Sequence, residues 1–232
     1  MSDGTATRPA AFVFDLDGTL VDSVYQHVIA WQQALSEMGI GLAIWRIHRR
    51  IGMSGGLLVQ AMMRETGVRL TSREADELQN AHHRHFEGWT NAIRPLPGAT
   101  ELLRALTDCG VPWTIATSAR RDDAAPMFAR LAVPPDVPTV TREEVSRAKP
   151  DPDLFLAGAA RLGIPARDCV VVGDSVWDLL AARRAEALGV GLLSGGYGQD
   201  ELERAQAFRV YADPLDLLGH IDELGVRDAH GA

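Results

Sequence analysis

Lysine is almost absent from this chain of 232 residues: of its 23 Lys and Arg residues, only Lys149 is a lysine. Cysteine is scarce as well, with Cys109 and Cys169 alone. Both lie in or beside apolar runs, so buried reduced thiols are expected rather than a disulfide framework or a cysteine metal site. Positive charge is in deficit. The net charge of −8 argues against nucleic acid and anionic membranes as partners, because both select a basic surface. No apolar run approaches the length of a bilayer span. Met1 to Pro9 is small and polar, without the apolar segment of a signal peptide, and reads as a flexible tail. A cytoplasmic protein is expected. Its length allows either one domain or a core carrying an insertion.

What is present concentrates in Phe12-Val13-Phe14-Asp15-Leu16-Asp17-Gly18-Thr19-Leu20. Ala11 to Phe14 is continuously apolar and too short for a helix, the pattern of a buried parallel strand. Ligands of open α/β sheets sit at the carboxyl ends of strands, where Asp15 and Asp17 stand. Alternation sends these two carboxylates to one side and turns Leu16 into the core. Two like charges so close need an opposing partner. A divalent cation such as Mg²⁺ suits hard oxygen ligands, although an Asp-Gly turn ending a strand would produce the same local pattern.

A coding preference for Arg explains the general lack of Lys, so the one retained lysine asks for its own reason. Lys presents a compact ammonium on a flexible stem, where Arg presents a planar fork. Lys149 opens Lys149-Pro150-Asp151-Pro152-Asp153. Pro150 favours an extended Lys149. Asp151 is expected to cap the following helix, with Pro152 at its first position.

Strand patterns fall at Pro112–Ala116, Cys169–Gly173, Val190–Leu193 and Phe208–Tyr211, alternating with helical patterns at 100–109, 122–131, 152–162, 176–188 and 201–207. Between the first strand and Ile93 only helical patterns are found, at 25–38, 44–51, 56–66 and 73–87, broken at Gly39, Gly52 and Gly67. The expected architecture is α/β: a parallel-sheet core at 10–21 and 95–226, with an inserted all-helical segment at 22–94 where a lid would be useful. Residues 1–9 and 227–232 are expected as tails.

Further strand ends carry polar groups. Trp113 to Ala116 runs into Thr117-Ser118-Ala119-Arg120, where a hydroxyl and free amides can receive an anion, or where Ser118 can simply cap a helix. Val170 to Val172 leads to Gly173-Asp174-Ser175, with Asp178 four residues after Asp174. These acids can face a common point or serve as capping and dipole partners. In order and spacing, Asp15-Leu16-Asp17-Gly18-Thr19, Ser118, Lys149 before Pro150, and Gly173-Asp174-Ser175-x-x-Asp178 resemble the four motifs of the haloacid dehalogenase-like superfamily. The likeness covers nearly the whole chain and implies a Rossmann-like core with a helical cap, of the group containing phosphoglycolate phosphatases and β-phosphoglucomutases.

That resemblance implies Asp15 as nucleophile, Asp17 as acid and base, and Lys149 and Ser118 as holders of the phosphoryl group. It implies Mg²⁺ on the Asp15 carboxylate, the Asp17 backbone carbonyl and Asp174, with Asp178 supporting them. The expected substrate is a small phosphorylated metabolite resembling phosphoglycolate or a sugar phosphate. Dehalogenases of the superfamily lack an acid matching Asp17, and its phosphonate hydrolases use a cap lysine that this chain does not have. β-Phosphoglucomutases place basic residues where Ile51 and Gly55 stand here. A mutase therefore depends on Arg49 or Arg50 as the distal phosphate grip, and a non-catalytic phosphometabolite binder is the alternative of another class. The sequence leaves the oligomeric state open. His82-His83-x-His85 reads as a solvated helix face, Gly195 to Gly198 as a turn, and Trp31, Trp45, Trp89 and Trp177 as core or interface, with Trp45 the one within reach of substrate.

Overall fold

The computed structural model describes residues 11–226; the expected tails at 1–9 and 227–232 lie outside the described residues. Six strands form one parallel sheet: β1 (Ala11–Phe14), β2 (Trp113–Ala116), β3 (Thr139–Val140), β4 (Cys169–Gly173), β5 (Leu188–Leu192) and β6 (Arg209–Tyr211). Their spatial order is β3-β2-β1-β4-β5-β6. Both faces of β1 are buried, which explains its unbroken apolar sequence. Phe12 and Phe14 join Ile115, Val170 and Val172 on one face, while Ala11 and Val13 join Ala116, Val171 and Phe155 on the other. Fully burying a side chain such as Phe12 stabilises the fold by about 1.5–3 kcal/mol.

Four helices precede the return to the sheet: α1 (Val24–Glu37), α2 (Ile44–His48), α3 (Gly55–Thr66) and α4 (Ser72–Glu87). They bury an apolar cluster of their own, built on Val28, Trp31, Leu35, Ile47, Leu58, Met62 and Leu78. The Thr71 hydroxyl and the Glu74 carboxylate form a reciprocal cap at the start of α4. The sheet is flanked by α5 (Ala99–Asp108), α6 (Arg121–Arg130), α7 (Asp153–Leu162), α8 (Val176–Arg184), α9 (Gln199–Arg204) and α10 (Pro214–Gly219). The fold is thus Rossmann-like with a helical cap. Among the described residues, no helix is long and apolar enough to cross a membrane.

Several local expectations shift. The helix expected over 176–188 ends at Arg184, because Glu186 adopts a positive φ of 61° and Leu188 already pairs in β5. β3 and α10 carried no readable periodicity, being two and six residues long. Asp151 does not cap α7. That helix starts at Asp153 after Pro152 without a side-chain cap, and Asp151 lies 3.7 Å from Arg184 instead.

Candidate active site

After β1 the chain passes to β2 and β3 on one side, then crosses to β4, β5 and β6 on the other. The crevice at that reversal lies between the carboxyl ends of β1 and β4, and such switch points are where open α/β sheets bind ligands. Asp15 follows β1 and Asp174 follows β4. The intervening turn is tight: Gly18 has φ +80°, and its amide donates to the Val21 carbonyl at 2.8 Å.

Lys149 is fully buried and donates to Asp15 Oδ1, while its Nζ lies 2.7 Å from Asp178 Oδ1. Asp178 Oδ2 accepts from the Ser175 amide at 3.0 Å and from the Ser175 hydroxyl at 2.5 Å, closing a reciprocal cap on α8. Asp178 therefore both starts the helix and steadies the lysine. Thr19 Oγ1 donates to Asp174 Oδ1 at 3.1 Å. Gly195 packs so tightly on Asp174 that a Cβ at that position would overlap the carboxylate. The segment expected as a turn at Gly195–Gly198 begins with the last residue of a 3-10 helix over Leu193–Gly195, and its contact with the site is the packing of Gly195 on Asp174.

Asp15, Asp174 and Asp178 are buried, and one oxygen of each lies within 4.8 Å of the others. Burial pushes the Asp15 carboxyl up to about 7, opposed by the Lys149 charge and reinforced by Asp178 and Asp17. Burial, then the charges of Asp178 and Asp15, raise Asp174 well above the usual carboxylate range. Burial works against the Lys149 ammonium, but the charges of Asp15 and Asp178 outweigh it and raise its pKa. Negative charge thus exceeds the single ammonium. A hard divalent cation fits this all-oxygen set.

Asp17 is held differently. Its Oδ1 accepts from the Ser23 hydroxyl at 2.6 Å and lies 3.3 Å from His27 Nε2. Burial alone would raise this carboxyl, but the His27 charge and hydrogen bond, with Ser23 and Lys149, bring it below its ordinary value. His27 Nδ1 lies 3.2 Å from His82 Nε2, and the His82 ring stacks on Trp31 at 4.2 Å. The sequence reading missed Ser23 and His27, since one hydroxyl and one imidazole on an amphipathic helix carry no distinguishing pattern.

A cavity of about 430 Å³ opens between cap and sheet, its wall including Asp15, Asp17, Ser118 and Lys149. Ser118 Oγ is buried there with no hydrogen-bond partner among the described residues, so the helix-capping alternative does not describe it. The solvated-face reading of the histidines is corrected. His82 and His83 line the cavity, while His85 pairs with Glu37 at 2.7 Å. The packing of α4 on α1 turns the first two inward. Arg49 and Arg50 do not line the cavity. Arg49 pairs with Glu201 and covers the Tyr197 ring at 4.2 Å, and Arg50 lies 3.3 Å from Glu65. Both guanidiniums are thus engaged by carboxylates outside the cavity lining. Trp45 is 63% exposed beneath Arg46 and does not line the cavity either.

The sequence profile of haloacid dehalogenase-like hydrolases matches residues 9–186. Hexitol phosphatase A of Escherichia coli is 34% identical over 182 residues, which cover 77% of this chain and 80% of that protein. The β-phosphoglucomutase of Bacillus subtilis is 28% identical over 215 residues, covering 90% and 93% of the two chains. A hydrolase from Pseudomonas syringae with a known crystal structure superposes with a TM-score of 0.90 at 53% identity, covering 92% of this chain and 98% of that one. By profile, relatives and fold alike, the chain belongs to the haloacid dehalogenase-like hydrolase family.

Proposed function

We propose that this protein is a Mg²⁺-dependent phosphomonoesterase that acts on a small organic phosphate through an aspartyl-phosphate on Asp15. The observation that carries the reading is the meeting of Asp15, the solitary Lys149 and the unpartnered Ser118 hydroxyl in one cavity beneath the cap. An Asp15 carboxylate oxygen attacks phosphorus while the bond to the leaving oxygen breaks. Asp17, held ionised by His27 and Ser23, passes to that oxygen a proton brought in on the substrate phosphate, then takes a proton from the water that attacks the aspartyl-phosphate and releases inorganic phosphate. The Lys149 ammonium and the Ser118 hydroxyl hold phosphoryl oxygens, and Asp178 keeps Lys149 aimed at them. The Asp15 carboxylate, the Asp17 backbone carbonyl and Asp174 would hold Mg²⁺, which when bound offsets negative charge on the transferring group.

A phosphomutase reading depended on Arg49 or Arg50 gripping a distal phosphate, and both are engaged elsewhere. Hydrolysis is the reading we adopt, in the cytosol. With p-nitrophenyl phosphate, Mg²⁺ is expected to support steady phosphate release that EDTA abolishes and added Mg²⁺ restores. Equal rates in EDTA would remove the metal from the reaction. Absence of turnover with this ester and with phosphorylated metabolites would point instead to a non-catalytic binder.

Gly195→Ala tests the Asp174 wall. The added methyl must displace the carboxylate or the turn. The Mg²⁺ concentration for half-maximal activity is expected to rise at least about tenfold, equivalent to about 1.4 kcal/mol. An unchanged Mg²⁺ dependence would show either that the turn yields to the methyl or that Asp174 does not hold the metal, and Asp174→Asn with unchanged Mg²⁺ dependence would establish the second.

A further inference from the structure

The hydrolase reading makes Asp17 the group that meets the leaving oxygen, so the rest of the leaving group lies against whatever stands beside Asp17. There the cavity wall is formed by His27, His82, His83 and Asp123. His83 is on the cap helix α4. Asp123 is in the first turn of the core helix α6, five residues after Ser118. Their Nδ1 and Oδ1 atoms approach to 2.8 Å, tying cap to core. Burial raises the Asp123 carboxyl, His83 and His27 oppose that, and Asp123 also feels the charge of Asp17. It therefore stands close to where the leaving group begins.

The charges of this wall decide what it can receive. Apart from Asp15, Asp17 and Lys149, the cavity includes Arg120, Asp123, Arg142 and Glu143. The Arg120 side chain is 60% exposed and faces Glu143 at 3.8 Å, while Arg142 donates to the Val145 carbonyl at 2.7 Å. Asp123 is only 16% exposed. Burial and the charges of neighbouring histidines hold His82 well below the usual imidazole range, so it is neutral near pH 7. The inner wall beside Asp17 thus offers a carboxylate and imidazoles, which accept from and donate to hydroxyls. Beyond the imidazoles of His27 and His83, whose charge is already matched by Asp17 and Asp123, it offers no fixed cation among the described residues for a second anionic group. Apolar Trp31, Ile51 and Leu58 supply a surface for the C–H face of a carbon skeleton. Gly55 and Gly56 add no side chain to the wall, and the volume of about 430 Å³ falls among sites that enclose whole small molecules, roughly 300–1,000 Å³.

We infer that the His83–Asp123 pair is a specificity element that selects the phosphate ester of a neutral, polyhydroxylated leaving group of sugar or polyol size over a carboxylate-bearing one. An anionic leaving group would lie against both Asp17 and Asp123, and like charges in a confined cavity discriminate strongly. The assignment rests on the phosphatase reading above, and the test separates the two.

The kcat/KM values for sorbitol 6-phosphate, 2-phosphoglycolate and p-nitrophenyl phosphate are measured with the wild type, Asp123→Asn and His83→Gln. The wild type is expected to favour sorbitol 6-phosphate over 2-phosphoglycolate at least about tenfold. Asp123→Asn is expected to shift that ratio at least about tenfold toward 2-phosphoglycolate, and His83→Gln to lower it by weakening the polyol. A purely structural role would scale all substrates together and leave the ratio unmoved. Wild-type preference for 2-phosphoglycolate, or an unmoved ratio in Asp123→Asn, overturns the specificity assignment while phosphatase activity stands. Turnover of p-nitrophenyl phosphate with neither metabolite accepted also overturns it. No turnover of any of the three overturns the phosphatase reading, and this assignment with it.

Discussion

Asp15→Asn is expected to abolish turnover while leaving the fold intact. The amide keeps the shape of the carboxylate but is a poor nucleophile and a weaker ligand for a hard cation. Steady-state turnover above about one per cent of wild type, a barrier change below about 2.7 kcal/mol, would mean that Asp15 is not the nucleophile. Stability gives a second readout. The Asp15 carboxyl titrates near 7 in the folded chain against an ordinary 3.8, chiefly because of burial. The folded state therefore holds that proton more tightly than the unfolded state, and its contribution to stability falls as pH rises from about 4 to about 7. Asn is neutral throughout. In EDTA at pH 8 the variant is expected to melt no lower than wild type.

Lys149→Arg is expected to lower kcat/KM at least tenfold, about 1.4 kcal/mol, although charge is conserved. Lys149 is fully buried between Asp15 and Asp178, with its Nζ 5.2 Å from the Phe155 ring centroid. A guanidinium is wider and spreads its donors in a plane, so it displaces either Asp15 or the phosphoryl group. Near-wild-type activity would make the solitary lysine an accident of composition. Lys149→Met goes further, since it leaves buried carboxylates without their cation. Breaking a buried pair from one side costs about 3–5 kcal/mol, so its melting temperature should fall. Of the two, only Lys149→Met is therefore expected to lower the melting temperature, which a pair of thermal melts in EDTA reads directly. A drop of similar size in both would mean that the Asp15–Lys149 contact is mainly structural.

Long periodic elements were legible in the sequence because burial imposes their pattern. β4 has the expected bounds, and α1, α3 and α4 lie within a residue of theirs, since each is long enough to show its apolar face. β3, at two residues, is too short to show a period. The end of α8 was misplaced because Ala185, Glu186 and Ala187 continue a helical composition through the positive-φ turn at Glu186. The site divides along the same line. Asp15, Asp174, Ser118 and Lys149 follow strand ends or stand beside prolines, where local sequence marks a polar residue as out of place. His27, His82, His83 and Asp123 lie on ordinary helices, and nothing local sets them apart from solvated residues.

By itself the sequence determined the α/β core, the helical insertion and the acids, hydroxyl and lone lysine of the four motifs. Each of these depends on the alternation of burial along the chain or on residue chemistry at a strand end. Tertiary structure alone decided the strand order that sets β1 beside β4 and brings Asp15 to Asp174. It also decided that Asp178 serves Lys149, that Arg49 and Arg50 turn to Glu201 and Glu65, and that α4 aims His82 and His83 into the cavity. The reason is physical. These relations depend on how separately stable elements dock, and docking is set by packing between faces distant in the chain rather than by any pattern within one of them.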